Sequence, residues 1–194
     1  MFETYLRPTY QKYLVDPIAV IIANKLSPAS ITLLGALLGL LTAPFLLGGY
    51  GKIACGLLLV SGYFDTLDGT LARKQNTISA KGSMLDIVCD RLVEFAVIAG
   101  LFGVAPATRG WLAIGMLGSV LLCVTTFLVV AIFTENNSQK SFYYSPGIIE
   151  RPEAFFFFSL MILLPAFFNL LAVIFIFLVS ITALIRMRQF LHSY

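Results

Sequence analysis

The stretch "SGYFDTLDGTLARKQNTISAKGSMLDIVCDR", residues 61–91, sets four aspartates, Asp65, Asp68, Asp86 and Asp90, beside or inside hydrophobic runs. Asp65, Asp68 and Ala72 fall at i, i+3 and i+7, one face of a helix, and Asp86 and Asp90 are i, i+4 neighbours. Two antiparallel helices joined by the short segment 74–81 point all four carboxylates at one small volume. Four like charges in apolar surroundings repel one another, so a cation must compensate them.

The rest of the chain makes that cost concrete. Of 194 residues, 59% are hydrophobic and only 12% charged, with a mean hydropathy of +0.91. Soluble domains carry about 25% charged residues, so the composition excludes an ordinary soluble protein and predicts an all-α polytopic membrane protein. In such a protein each charge at the centre of a span costs ~2.5–3.5 kcal/mol on insertion scales. Six spans are expected, at 29–48, 53–72, 82–104, 111–133, 153–168 and 169–187. "SPASIT" opens the first, with Ser27 as cap and Pro28 in the first turn. "LPAFFN" divides the last two as a tight turn containing Pro165 and Asn169, with one long broken helix as the competing reading. Residues 1–26 are too polar to span; Ile18, Val20, Ile21 and Ile22 among Arg7, Lys12 and Lys25 predict a helix lying along the interface. No polar linker divides 1–194, which predicts one domain, and no cleavable leader is expected.

Ten lysines and arginines outside the spans (Arg7, Lys12, Lys25, Arg73, Lys74, Lys81, Lys140, Arg151, Arg186 and Arg188) stand against Lys52 and Arg109 on the other side. That bias predicts cytoplasmic termini and a cytoplasm-facing acidic site. The net charge of +3 gives a nucleic-acid partner no support. Cys55, Cys89 and Cys123 have neither metal-ligand nor disulfide spacing and read as packing residues. His192, the only histidine, reads as a surface residue. Gly35 and Gly39 form a small-xxx-small pair suited to close helix packing.

Carboxylate oxygens are hard ligands that suit Mg²⁺, Mn²⁺ or Ca²⁺ and not zinc. Two cations sharing carboxylates form a clamp for displacement at phosphorus. "DTLDG" lacks the twelve-residue spacing and terminal Glu of a calcium loop. Pairing of Asp65 and Asp68 with Arg73 and Arg91 would leave Asp86 and Asp90 unexplained. A cation transporter remains the alternative from another class; it needs a continuous polar path, which the opposite halves of the spans lack. Gly69 and Gly82 beside each acidic pair favour a bulky ligand near the backbone.

Asp65-x-x-Asp68-Gly69-x-x-Ala72-Arg73, eight residues, Gly82, three residues, Asp86, three residues, Asp90 resembles the signature of the class-I CDP-alcohol phosphatidyltransferase family, matching every fixed position over 26 residues. "SPASIT" resembles that family's entry to the first span, with Pro28 and Thr32 matching and Ala29 in place of the usual Asn. The resemblance implies transfer of a phosphatidyl-type group from a CDP-linked lipid such as CDP-diacylglycerol to an alcohol, with release of CMP. It implies that Asp65, Asp68, Asp86 and Asp90 bind two divalent cations, Mg²⁺ or Mn²⁺, and that Asp90 is the base. It implies nucleotide contacts at Thr32, Gly69, Ala72, Arg73 and Gly82, Gly82 lying beside the nucleotide or at a close helix packing, and it implies a homodimer. A lipid-binding homologue without activity is disfavoured, because no signature aspartate is lost.

For the acceptor, Lys140, Arg151 and Arg186 are candidates to gather near the aspartates and receive an anionic head group. Gly147, Arg151, Glu153 and Arg186 resemble the pattern of family members that use inositol phosphate; glycerol 3-phosphate is the runner-up. The competing reading for these cations is anchoring to anionic lipids. Glu94, one turn past Asp90, is expected to support the site or to pair with Arg91. Trp111, Tyr143 and Tyr144 read as interfacial belt residues.

Overall fold

The computed structural model describes residues 10–134 and 147–193, and these are helical almost throughout. A π-helical turn, Gln11–Val15, leads into α1 (Asp16–Ile22). Six longer helices follow: α2 (Pro28–Leu47), α3 (Gly51–Lys74), α4 (Ala80–Val104), α5 (Pro106–Phe133), α6 (Arg151–Leu163) and α7 (Phe168–Ser193). They lie where six spans were expected. α2, α5 and the stretch Pro165–His192 are long and apolar enough to cross a membrane, and an integral membrane protein follows.

Local chemistry sets most of the helix ends. Ser27 caps α2, its hydroxyl accepting from the Ser30 amide at 3.2 Å, with Pro28 in the first turn. Ser79 does the same for α4 through the Gly82 amide, also at 3.2 Å. Gly49 (φ +80°) ends α2 and Asn76 (φ +54°) ends α3, each in the left-handed region that stops a helix. The Thr77 amide then returns to the Ala72 carbonyl at 3.0 Å. The link between α3 and α4 is therefore only residues 75–79, shorter than the expected 74–81, because Ser79 starts α4 before Lys81.

Three expectations are corrected at other ends. α5 begins at Pro106 and not near residue 111, since proline suits the first helical turn. Arg109 therefore belongs to α5 and not to a loop. It is buried, donates to the Leu101 carbonyl at 2.9 Å and stacks over the Phe168 ring. α6 ends at Leu163, short of 168; a single 3₁₀ turn, Pro165–Phe167, follows, and Asn169 sits inside α7 rather than in the turn. α7 continues to Ser193, past the expected end at 187, and Arg186, expected late in that span, is a buried helical residue. His192 is exposed in its last turn, as expected.

α2 packs along α3 and α4, α3 against α6, α4 against α5, and α5 against α7. Close approach of α2 needs its glycines. A Cβ at Gly35 would lie 3.0 Å from that of Phe64, and one at Gly39 would press into Val93 and Ser61. Across from them, a Cβ at Gly100 would come within 2.9 Å of the Ala43 backbone. The small-residue pair thus serves packing of α2 within the chain. Cys55 and Cys89 are buried and Cys123 half-buried, all three free thiols.

A second, smaller core of Val15, Ala19, Ile31, Leu67 and Leu71 docks the N-terminal segment on α3. Polar tethers reinforce it. Gln75 donates to the carbonyls of Ala23 and Leu26 at 2.6 and 2.9 Å, Gln11 to the Thr70 hydroxyl at 2.9 Å, and the Tyr63 hydroxyl to the Leu14 carbonyl at 2.9 Å. Its other side leaves Tyr13, Leu14, Val20 and Ile21 exposed.

Candidate functional site

The acidic site is built where α3 and α4, both packed along α2, bring their aspartates together. The three-residue step in α3 and the four-residue step in α4 put each aspartate pair on the facing side of its helix. Asp65, Asp68 and Asp86 each offer a carboxylate oxygen, and these oxygens lie within 4.8 Å of one another. Asp68 is buried, with 6% of its surface exposed. The Thr32 hydroxyl of α2 hydrogen-bonds to its carboxylate and lies 3.1 Å from the Pro28 carbonyl. Position 32 thus reaches the acidic centre directly.

Asp90 is brought to the same centre by Arg151, the first residue of α6. The Arg151 guanidinium pairs with both Asp65 and Asp90 and stands 3.9 Å from Asp86. Its position is fixed from the backbone. Glu150 and Glu153 cap each other's amides in a reciprocal box, and Pro152 occupies the first turn. The Phe155 ring lies 5.2 Å from the guanidinium. Glu153, expected in the acceptor pattern, is engaged in this cap through the Glu150 amide at 3.2 Å.

The signature glycines have open space beside them. A Cβ at Gly69 would meet only the Arg73 guanidinium, at 3.5 Å, and one at Gly82 only the Ser79 hydroxyl, at 3.4 Å. Close helix packing at Gly82, one of its two expected roles, is therefore corrected: Gly82 is exposed in the first turn of α4. Arg73 is exposed at the end of α3 and donates to the Thr70 hydroxyl at 3.0 Å. Ala72 precedes it, half-buried.

A cavity of about 210 Å³ adjoins the acidic centre, between α4, α5, α6 and α7. Asp86, Asp90 and Arg151 line it on the side of the acidic centre, and Arg91, Glu94, Glu150 and Arg186 add to its polar surface. Glu94 is 5% exposed, and Arg91 reaches it at 2.8 Å and Asp90 at 3.9 Å. Arg186 is 6% exposed; it stacks over Phe127 and lies 3.3 Å from the Cys123 sulfur. A side chain at Gly147 would collide with Thr182 and crowd the Arg186 guanidinium, at 3.2 Å. Of the three expected acceptor cations, Arg151 and Arg186 meet at this cavity, while Lys140, with Tyr143 and Tyr144, lies outside the described residues.

Cys123, Phe127 and Glu150 line the cavity without having been foreseen. The first two carry no local spacing signal. Glu150 could have been found from its three-residue step to Glu153, a capping-box spacing at a helix entry.

Chemically, the acidic centre gathers carboxylate oxygens around the Arg151 guanidinium, with Cys89 also lining the space among them. Asp65, Asp68 and Asp86, with Asp90 beside them, fit a hard divalent cation and offer nothing to a soft one. The cavity next to it combines the guanidinium groups of Arg91, Arg151 and Arg186 with the carboxylates of Asp86, Asp90, Glu94 and Glu150.

The model of the family described as CDP-alcohol phosphatidyltransferase matches residues 20–187. The chain is 31% identical to inner membrane protein YnjF of Escherichia coli, over 87% of this chain and 84% of that protein. It is 30% identical to a phosphatidylinositol phosphate synthase of Mycobacteroides abscessus over 76% of this chain, a match that spans 66% of that protein. Crystal structures of Mycobacterium tuberculosis phosphatidylinositol phosphate synthase share the fold. The form with CDP-DAG bound superposes with a TM-score of 0.71 at 21% identity, covering 92% of each chain. The form in complex with manganese and citrate gives 0.69 at 21%, covering 93% of this chain and 88% of that one. With the family model matching 168 of its 194 residues (20–187), this chain belongs to the CDP-alcohol phosphatidyltransferase family.

Proposed function

We propose that this protein transfers a phosphatidyl-type group from CDP-diacylglycerol, or a similar CDP-linked lipid, to a phosphorylated polyol of the inositol phosphate kind. One observation carries the acceptor reading: a cavity holding Arg151 and Arg186 opens directly onto the acidic centre. Guanidinium groups suit a phosphate dianion because their planar fork matches its oxygens. Glu94 and Arg91, which line the same cavity, offer an acceptor and donors for polyol hydroxyls. The phosphatidylinositol phosphate synthases among the relatives support the same class of acceptor.

In this reading Asp65, Asp68, Asp86 and Asp90 hold two divalent cations, Mg²⁺ or Mn²⁺. Bound there, the cations neutralise the diphosphate and stabilise the departing CMP. Thr32 fixes the Asp68 carboxylate. Gly69, Ala72 and Gly82 leave room for the cytidine nucleotide, and Arg73 meets its phosphate. Asp90 accepts the proton of the attacking hydroxyl, which lies within hydrogen-bond reach when the acceptor fills the cavity. The new bond joins that oxygen to the lipid-bearing phosphorus, and the bond from this phosphorus to the CMP oxygen breaks. No covalent enzyme intermediate is required, so the residues act by positioning and by electrostatics.

The same reading places all six long helices in the bilayer, with the active site and both termini on the cytoplasmic side. The segment 10–22 lies along the interface, its exposed Tyr13, Val20 and Ile21 towards lipid. Purified protein supplied with CDP-diacylglycerol and a panel of alcohols tests the assignment through CMP release and lipid product. Inositol phosphate is expected to be the preferred acceptor. Preference for glycerol 3-phosphate would overturn the acceptor, and no CMP release with any alcohol would overturn the transferase.

A further inference from the structure

Arg151 stands between the two halves of the site. One side of its guanidinium takes oxygens of Asp65 and Asp90, which the reading above assigns to divalent cations. Its other side faces the cavity that holds Arg186, Arg91 and Glu94. Its backbone is held by the Glu150–Glu153 box and Pro152, so any movement belongs to its side chain. A guanidinium and a divalent cation repel each other, and they seek the same carboxylates. The cavity gives the displaced group somewhere to go, beside an anionic acceptor.

We propose that Arg151 competes with the divalent cations for Asp65 and Asp90 and, once displaced by them, turns into the cavity to bind the anionic group of the acceptor. The inference rests on the cation and acceptor assignments above and adds a coupling between them. By linkage, an anion in the cavity that draws Arg151 away raises the affinity of the acidic centre for its cations, and the cations raise the affinity for the anion by the same factor. Loading the cations first then makes the acceptor site competent.

The test measures Mn²⁺ affinity of the purified protein, without CDP-lipid, from the electron paramagnetic resonance of unbound Mn²⁺. Sulfate serves as the tetrahedral anion probe. Arg151→Gln removes the competitor, so Mn²⁺ should bind at least about fivefold more tightly than to the wild type, the lower end of typical coupling factors. Sulfate should tighten Mn²⁺ binding by a similar factor in the wild type and leave Arg151→Gln unchanged. Equal or weaker Mn²⁺ binding by a folded Arg151→Gln would overturn the competition while leaving the cation site intact. Should that variant not fold, the wild type alone decides, because Mn²⁺ affinity indifferent to sulfate overturns the coupling. An absence of Mn²⁺ binding by the wild type would overturn the cation assignment itself.

Discussion

The acidic centre on α3 and α4 and the cavity between α4, α5, α6 and α7 adjoin each other, yet they are written into the chain differently. The centre draws its carboxylates from residues 65–90, spaced three or four apart on two consecutive helices. The cavity draws Arg91, Glu94, Cys123, Phe127, Arg151 and Arg186 from four helices. The first is a local pattern, so the convergence of its carboxylates can be read from spacing alone. The second exists only after α6 and α7 have packed. In the function proposed above, the first kind of site holds the cations and the second the acceptor.

That contrast can be broken by mutation, beginning with the largest effect. Asp90→Asn keeps the shape of the residue and removes its basicity. It should lower turnover by about 10²–10⁴-fold, the contribution of a positioned base, while CDP-lipid binding survives. Near-normal turnover would remove Asp90 from the chemistry. Next, Arg186→Ala takes one buried guanidinium from the cavity. A lost hydrogen bond from a charged group is worth about 1.5–3 kcal/mol, so the acceptor KM should rise roughly 10–100-fold while the CDP-lipid KM stays close to normal. Equal changes in the two KM values would make Arg186 an anchor or a packing residue.

How much was legible follows from the same physics. Helix positions were readable because long apolar runs and caps such as Ser27 are local signals. The start of α5 was misread because Arg109 counted as a loop charge, whereas the fold buries it against Phe168 and the Leu101 carbonyl. The four aspartates were legible by spacing and Arg151 was expected near them, but its pairing with Asp65 and Asp90 was not, since it arrives from 61 residues beyond Asp90 (151 − 90). Glu153 looked like part of an acceptor pattern and proves to cap α6. A helix-entry motif and a binding motif use the same residue types, and sequence alone does not separate them.

A smaller effect sharpens the comparison from the packing side. Gly100→Val places a side chain against the Ala43 backbone at the α2–α4 contact, far in kind from either half of the site. Overpacking of this sort costs about 1–3 kcal/mol. A lower thermal midpoint in detergent is expected, with the ratio of acceptor to CDP-lipid KM unchanged. A shift in that ratio would show that α2 packing shapes the acceptor cavity as well.

The central claim is that the paired aspartates of α3 and α4 form a cation-dependent centre for phosphatidyl transfer. The most direct measurement follows CMP release from CDP-diacylglycerol by the chelator-stripped protein in the presence of inositol phosphate, as Mg²⁺ or Mn²⁺ is returned. The account predicts no release without added cation, and release that rises with cation in the wild type but not in Asp65→Asn or Asp86→Asn. Release that persists through chelation, or that survives loss of both aspartates, would contradict it.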